Sequence, residues 1–333
     1  MIKVGIAGFG KIGQLRAKLL SSHEKIEIVG IYDVVRPTGK FPGKFFESFD
    51  SLIDENIDAV FICAFNTVLA EYTCKALSKG LHVFCEKPPA MNINELKPVF
   101  EQHKKSGKIL KYGFNHRYHY SIMEAKKIVD SGEMGKLLWI RGVYGKAGSI
   151  DYNQNWRNFK KYSGGGILID QGIHMLDLIR FFSDDEFNRV NSYITTAFWN
   201  IEVEDNAFVL MQSKKGIIAS MHSSATQWKH KFLLEMCFEE GYLNLDGILS
   251  GTRSYAPETL VIGKREFEDI TFAMGKPKET VVSFENDNSW SYEIDEFIGA
   301  IESGKPITHG NLQDAFQTLL LVDKVYNQNA LKQ

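Results

Sequence analysis

The N-terminal end of the chain carries a glycine pattern that restricts its fold more than any other feature. A short apolar segment, residues 2–7, leads directly into Gly8-Phe9-Gly10-Lys11-Ile12-Gly13, and a helical pattern follows. Glycines at this spacing allow a tight turn, a close approach of a pyrophosphate and packing of the helix on the strand. The helix N-terminus then favours negative charge. We therefore predict that residues 8–13 bind a dinucleotide.

A carboxylate stands where this fingerprint expects one. The apolar segment 26–32 ends at Asp33, about 20 residues beyond the glycines. Its carboxylate can accept hydrogen bonds from both ribose hydroxyls and would repel a 2′-phosphate, which predicts NAD rather than NADP. Arg36 is the counter-argument, because an arginine can bind that phosphate. Arg36 can equally lie along the adenine ring or be a solvated loop residue.

The order of apolar segments predicts two domains. Strand-like and helical patterns alternate through the N-terminal third of the chain, as in a parallel α/β sheet covered on both faces. Between residues 190 and 262 the segments are strand-like and separated by turns, which predicts an antiparallel sheet. The predicted boundaries are 1–118 for a dinucleotide-binding domain and 119–333 for a domain that binds substrate and forms oligomers. The last helix is a candidate for packing back on the first domain.

Composition excludes several classes of protein. The chain has 333 residues and a net charge of −2, so nothing indicates a nucleic-acid surface. It has no apolar run long enough for a membrane span. The N-terminal apolar stretch is interrupted by Gly8, Gly10 and Lys11 and is a poor signal peptide. The four cysteines show no CxxC spacing and fit reduced thiols. We predict a cytoplasmic protein.

A second glycine run, at 164–166, precedes a helical pattern with two faces. Apolar residues follow one face, and Asp170, His174 and Asp177 fall on the other, at i, i+4 and i+7. The glycines would let the backbone approach a ligand closely. A carboxylate beside an imidazole orients and tunes a general base. The alternative is a capped amphipathic helix with a solvated polar face.

The segment Phe84-Cys85-Glu86-Lys87-Pro88 lies at the predicted C-terminal end of a parallel strand. Ligands bind at that edge of doubly wound sheets. Lys87 could there approach a nicotinamide ring and a substrate hydroxyl; the alternative is a lysine in a surface turn.

Together these residues resemble the Gfo/Idh/MocA oxidoreductase family (glucose-fructose oxidoreductase, inositol dehydrogenase) over nearly the whole chain. The resemblance rests on residues 8–13, on Glu86-Lys87-Pro88, on Asn115-His116-Arg117-Tyr118 and on residues 164–177. It implies an N-terminal Rossmann domain and a C-terminal α+β domain whose open, mainly antiparallel sheet forms the oligomer interface. It also implies that a lysine, an aspartate and a histidine line the active site, which match Lys87, Asp170 and His174.

One segment departs from the family pattern. The family usually has Thr-Pro-Asn followed shortly by histidine, whereas this chain has Ala64-Phe65-Asn66 and Leu69. The resemblance implies cofactor contacts at Asn66 and Glu86, and the departure weakens the inference for Asn66.

The residue types predict how a carbinol would be oxidised. His174 would take the hydroxyl proton, since an imidazole titrates near working pH. Lys87 would stabilise the developing alkoxide, and a lysine base is the alternative. Asp170 would orient His174 or hold a sugar hydroxyl. No HExxH or comparable ligand pair indicates a metal site.

The resemblance favours a sugar, a cyclitol or a nucleotide sugar as the substrate. Aromatic and forked polar side chains are the candidate contacts: Asn115, Arg117, Tyr118, Tyr152, Trp156, Arg157, Gln227 and Trp228. Lys146, Lys160, Lys161 and Lys229 add local positive charge, which suits an anionic substrate group unless these lysines are merely solvated. Two rival functions stay open: an NAD-dependent glycoside-cleaving enzyme on the same fold, and a non-catalytic NAD-binding regulator.

The second predicted sheet has too few helical segments to cover both its faces. Residues expected on an uncovered apolar face are Phe208, Leu210, Ile218, Met221, Leu233 and Met236. A monomer would rarely expose such a patch. We therefore predict a homodimer or a homotetramer.

Overall fold

The structure is a computed structural model that describes residues 1–149, 151–266 and 277–330. The chain divides into two compact units. The first contains Met1–Asn115, Lys161–Gly164 and Trp290–Leu320, and the second contains the rest. This division differs from the predicted boundary after residue 118, because segments 161–164 and 290–320 return to the first unit.

The helices and strands follow in chain order. The N-terminal elements are β1 (Ile2–Ala7), α1 (Lys11–Ser21), β2 (Ile26–Tyr32), β3 (Lys44–Phe46), α2 (Phe49–Ile53), β4 (Ala59–Ile62), α3 (Asn66–Ser78), β5 (His82–Cys85), α4 (Ile93–Ser106) and β6 (Leu110–Tyr112). The later elements are α5 (Tyr120–Ser131), β7 (Leu137–Gly145), α6 (Lys160–Ser163), α7 (Ile173–Ser183), β8 (Phe187–Thr195), β9 (Asn206–Ser213), β10 (Ile218–Ser224), β11 (Lys231–Phe238), β12 (Gly241–Asp246), β13 (Glu258–Lys264), β14 (Glu279–Phe284), α8 (Ser289–Ser303) and α9 (Leu312–Ala330).

The first unit is built on a six-stranded parallel sheet with the order β3-β2-β1-β4-β5-β6. This is the order of dinucleotide-binding folds, and the predicted parallel sheet is confirmed. Strand β4 is buried at every position, as its unbroken apolar sequence requires. The pattern did not predict β3 and α2, since three and five residues are too few to show a period.

Helix α8 contributes to the core of this first sheet. Phe61 and Phe84 stack with their ring centroids 4.9 Å apart, and Phe297 meets both rings edge-on. Ile294 and Ile298 belong to the same buried cluster. A helix close to the C-terminus therefore completes the N-terminal core, which local sequence patterns could not indicate.

The second unit contains an eight-stranded sheet with the order β14-β13-β12-β11-β7-β10-β9-β8. Its pairs are antiparallel except for β7 with β10, so the predicted mainly antiparallel sheet is confirmed. The central strand β7 was not predicted. Its sequence contains Gly142, where a Cβ would collide with the side chain of Met175 in α7. Strands β12 and β14 were also missed.

The two faces of this sheet differ in exposure. Phe208, Leu210 and Ile218 are 50%, 51% and 42% exposed, as predicted. Met221 and Met236 are buried, so their predicted place on the open face is wrong. The register explains the error: Met221 pairs with Val209 while His222 pairs with Phe208, so Met221 belongs to the opposite face from Phe208. Leu233 is half-buried.

Within the described ranges, no helix has both the length and the apolar character needed to cross a bilayer.

Candidate functional site

The glycine loop of the first unit has the geometry that a pyrophosphate site requires. Gly8 has a φ of +89°, and a Cβ there would collide with the backbone of Cys63. A Cβ on Gly13 would collide with the carbonyl of Gly8, whereas Gly10 has open space around it. Across the described residues no side chain caps α1, and its first turn contains no acid. The free amide end of the helix therefore fits an anionic group.

Asp33 lies beside this loop. Its Oδ2 accepts a hydrogen bond from the Phe9 amide at 2.5 Å, and its Oδ1 accepts one from Val35 at 3.1 Å. Both Asp33 and Arg36 line a cavity of about 620 Å³ that also contains Phe9, Gly10 and Gln14. The Arg36 guanidinium lies 5.1 Å from the centre of the Phe45 ring. The residue predicted to favour NAD and the residue that could bind a 2′-phosphate therefore share one cavity.

Glu86 and Lys87 follow strand β5 directly, at the carboxyl edge of the sheet. The Glu86 carboxylate accepts a hydrogen bond from Arg16 Nε at 2.8 Å, inside the unit. Lys87 is partly exposed. The Glu86 side chain thus holds the start of this segment in place, so a cofactor contact by Glu86 would involve its backbone.

Asn66 begins helix α3 and is buried. Its side-chain amide donates to the carbonyl of Ser163 at 2.8 Å, so Asn66 holds a neighbouring segment of its own unit. Leu69, which replaces the family's histidine, is completely buried in the core. Where the family has a polar histidine, this chain therefore has an apolar side chain that packs in the core.

In the second unit, the predicted two-faced helix is only partly α-helical. Residues Leu168–Gly172 form a π-helical turn that precedes α7, and such turns are frequent at functional sites. His174 and Asp177 are 5% and 0% exposed, so the alternative of a solvated polar face is wrong. Helix α7 packs on strands β7 and β10, and nine of its eleven residues are buried.

Two glycines of the run 164–166 lie tight against other parts of the protein. A Cβ on Gly165 would collide with the Tyr326 hydroxyl, and one on Gly166 would collide with the Glu204 carbonyl. The buried Glu204 carboxylate accepts hydrogen bonds from the amides of Gly166 and Leu168 and from Tyr326. Burial raises the pKa of Glu204 above its usual range. Nothing in the local sequence pointed to Glu204 as the residue that anchors this turn.

The side chains that flank Asp170 and His174 come from other elements of the same unit. Asp170 forms ion pairs with Lys146 and with Arg157, whose Nε lies 3.2 Å from the carboxylate. The His174 ring stacks on His116 with centroids 3.8 Å apart and an angle of 19° between the planes. His116 Nε2 lies 2.8 Å from the Tyr144 hydroxyl.

This arrangement fixes the plane of the His174 imidazole. Burial raises the pKa of Tyr144 well above its usual range, so its hydroxyl keeps the proton that it can donate to His116. The sequence did not identify Tyr144, because it lies on the unpredicted strand β7.

Of five predicted substrate residues, three are buried and two are half-buried. Asn115, Arg117 and Tyr118 are 6%, 4% and 7% exposed. Arg117 makes a bidentate ion pair with Asp177 at 2.6 and 2.8 Å, so its guanidinium is engaged inside the protein. Trp156 and Arg157 are half-buried, and the Arg157 guanidinium lies 4.4 Å from the Trp156 ring centre.

In the ranges 1–149, 151–266 and 277–330, no three His, Cys, Asp or Glu side chains come together as metal ligands would. All four cysteines are free thiols.

Comparison with known proteins gives two family models that match this chain. The oxidoreductase family with an NAD-binding Rossmann fold matches residues 2–114, and the GFO/IDH/MocA C-terminal domain matches residues 122–244. Glucose-6-phosphate 3-dehydrogenase of Bacillus subtilis is 32% identical over 196 residues, which is 56% of this chain and 55% of that protein. This chain therefore matches little more than half the length of that relative.

Two further proteins match nearly the whole chain. Myo-inositol 2-dehydrogenase of Thermotoga maritima is 25% identical over 319 residues, 92% of this chain and 90% of that protein. The solved complex of levoglucosan dehydrogenase with NADH and levoglucosan has a TM-score of 0.84 and 20% identity, covering 100% of this chain and 98% of that chain. The latter likeness shows a shared fold.

Proposed function

The chain belongs to the GFO/IDH/MocA oxidoreductase family, and we propose that it catalyses the NAD-dependent oxidation of a CH–OH group of a sugar, a cyclitol or a nucleotide sugar. The observation that carries the proposal is Lys87, placed at the carboxyl edge of a sheet whose glycine loop and Asp33 fit a dinucleotide. Relatives named as dehydrogenases of glucose 6-phosphate and of inositol support this class of substrate. When bound, NAD supplies the hydride acceptor.

Two residues are candidates for moving the hydroxyl proton. We assign His174 as the base, because an imidazole titrates near neutral pH and because its ring is held by the His116 stack. Lys87 would donate a hydrogen bond to the same oxygen and stabilise its developing charge. The alternative is that Lys87 is the base, and the pH dependence of kcat/KM distinguishes the two assignments.

Asp170 is assigned to a substrate hydroxyl. Its ion pairs with Lys146 and Arg157 fix the carboxylate in one orientation, as recognition of a forked polyol needs. Arg157, which pairs with it, and Trp156, whose ring lies beside the Arg157 guanidinium, are assigned to substrate contact, together with Asn115 and Tyr118. Arg117 is assigned a positioning role through Asp177.

For the cofactor, we propose NAD rather than NADP. The Asp33 carboxylate is held by two backbone amides, and its negative charge would oppose a 2′-phosphate in the same cavity. Asn66 and Glu86 support the cofactor site by holding the backbone around it.

We also propose that the protein is a cytoplasmic homodimer or homotetramer. The open face of the second sheet carries Trp139, Tyr193, Phe208, Leu210 and Ile218, which are 41–72% exposed. Apolar side chains side by side on one face of a sheet are characteristic of an interface between subunits. Four free thiols suit a reducing compartment.

The experiment that tests this function measures net NADH from the purified protein with NAD and a panel of sugars, cyclitols, uronates and nucleotide sugars. A dehydrogenase produces NADH stoichiometrically with at least one of them. Cleavage of a glycoside without net NADH would indicate the glycoside-cleaving alternative. Tight NAD binding without any turnover would indicate a regulator.

A further inference from the structure

We propose that Tyr152, Phe198, Trp199 and Trp228, together called the aromatic rim, form a second sugar subsite that takes a neutral pyranose ring linked to the ring being oxidised. The natural substrate would then be a glycoside rather than a free monosaccharide. This inference rests on the proposed function and narrows its substrate class.

The four rings form one continuous group within the second unit. The ring centroids are 4.8 Å apart for Phe198 and Trp228, 5.1 Å for Phe198 and Trp199, and 4.8 Å for Tyr152 and Trp199. Phe198 and Trp228 are 63% and 59% exposed. A single exposed aromatic side chain is ordinary, but adjacent exposed rings mark a binding surface.

The backbone beneath the aromatic rim is held rigidly. The Asp205 carboxylate accepts hydrogen bonds from the amides of residues 197, 198 and 199 at 2.8, 2.8 and 3.0 Å. The Trp199 indole donates to the carbonyl of Ala225 at 2.8 Å. A Cβ on Gly148 would collide with the same indole. The rings are therefore presented in fixed positions, as a preorganised subsite requires.

Trp228 has an unfavourable backbone conformation. Its φ is +55°, in the left-handed region that bulky residues rarely adopt. Such conformations persist only where the surrounding structure imposes them, and they cluster at binding and catalytic sites. Here the strained backbone presents an indole to solvent, which packing of the core does not require.

The aromatic rim is continuous with Asp170. The Lys146 carbonyl accepts a hydrogen bond from the Gln227 amide at 3.1 Å, next to Trp228, while the Lys146 ammonium pairs with Asp170. The Tyr152 carbonyl accepts a hydrogen bond from Asn158, whose neighbour Arg157 also pairs with Asp170. The segment that carries the rim residue Tyr152 therefore also carries Lys146 and Arg157, the two cations that pair with the carboxylate assigned to the oxidised ring.

The chemistry of the rim suits an uncharged ring. A pyranose presents a face of C–H bonds that packs on the electron-rich face of an indole. Amide side chains on the same loops can pair with its hydroxyls: Asn153, Gln154, Asn155, Asn200 and Gln227. Asp151 and Glu202 are exposed acids on these loops and offset the exposed Lys229 next to Trp228, so the rim offers a phosphate little net positive charge.

The test is isothermal titration calorimetry on the protein saturated with NADH. The titrants are glucose, galactose, mannose and the disaccharides built from them. We expect at least one disaccharide to bind about tenfold more tightly than its component monosaccharides, which is about 1.4 kcal/mol. Trp228→Ala and, separately, Phe198→Ala should remove most of this preference, and Trp228→Phe should keep most of it. Leu138→Ala, which removes an exposed apolar side chain of strand β7 outside the rim, is the control and should keep the preference.

Several results would overturn the subsite. These are equal affinity for all disaccharides and monosaccharides, a preference that survives Trp228→Ala in a protein with an unchanged melting temperature, or a change of oligomeric mass in that variant. Loss of UMP binding in Trp228→Ala without any effect on disaccharides would assign the rim to a nucleobase instead. Net NADH formation with monosaccharides is measured separately, so failure of the subsite remains distinct from failure of the proposed function.

Discussion

The Arg16 guanidinium forms a buried ion pair with the Glu86 carboxylate at 2.7 Å, and Glu86 directly precedes Lys87 in the chain. Arg16 also pairs with Glu293 at 2.6 Å and lies between the rings of Phe84 and Trp290. Burial by itself would lower the pKa of Arg16, but the two carboxylates more than offset this effect and raise it. One cation therefore holds the residue before Lys87 and helix α8 in the same core.

Replacing this cation should destabilise the first unit strongly. In Arg16→Met, two buried carboxylates lose their partner, and we expect the free energy of unfolding to fall by about 3–5 kcal/mol. Chemical denaturation measures this. Lys25→Met is the control, because the Lys25–Glu302 pair at 2.8 Å is exposed and should be worth at most about 1 kcal/mol. Similar small losses in both variants would show that the buried pair is not structurally important.

Glu293 should make stability depend on pH. Burial raises its pKa to about 7, against the partial compensation by Arg16. Because the folded pKa lies above the unfolded one, the folded state binds more protons between about pH 4.5 and 7, and stability falls as pH rises through that window. The effect should be on the order of 2 kcal/mol. Between pH 5 and pH 7.5, the free energy of unfolding should decrease less in Glu293→Gln than in the native protein. An identical decrease in both proteins contradicts the prediction.

Asp33→Ser should change cofactor preference. Loss of a charge-assisted contact to the ribose hydroxyls should weaken NAD by on the order of 2–3 kcal/mol, with a much smaller effect on NADP. Fluorescence titration with both cofactors measures it. Asp58→Ser is the matched control, because Asp58 also accepts a backbone hydrogen bond, from the Lys3 amide at 2.8 Å. It should leave the affinities for NAD and NADP unchanged. A native protein that prefers NADP would refute the role given to Asp33.

Lys87→Ala and His174→Ala should each retain NAD affinity and lose turnover by roughly 10²-fold or more. Steady-state kinetics and cofactor titration on the same preparations test this, with the exposed Lys97→Ala as control. The pH dependence of kcat/KM in the weakly active variants identifies the base. If His174 is the base, the acidic limb should be absent in His174→Ala and present in Lys87→Ala. Undiminished turnover in either variant removes that residue from the mechanism.

The open sheet face should hold the subunits together. Phe208→Asp combined with Leu210→Asp places two charges where the side chains are about half exposed, and we expect the smaller assembly or the monomer in light scattering. Val34→Asp, an exposed apolar position in the first unit, should leave the mass unchanged. A strictly monomeric native protein would contradict the predicted assembly.

The sequence by itself determined the features that depend on local spacing. The glycine loop, the position of Asp33 after β2 and the parallel sheet follow from short-range geometry, since only glycine fits where a Cβ would meet Cys63 or Gly8. Elements of three to five residues, such as β3 and α2, lay below what a periodic pattern can show.

The tertiary structure alone decided which partners the polar side chains have. Asp170 and His174 are four residues apart, yet Asp170 pairs with Lys146 and Arg157 from distant segments, and His174 stacks on His116. The sequence predicts that the glycine run 164–166 approaches a ligand. In the structure, Gly165 and Gly166 leave room for Tyr326 and Glu204. Helical periodicity describes one element, whereas side-chain pairing depends on residues that are remote in sequence. Packing between such segments is therefore what set the environment of each predicted site residue.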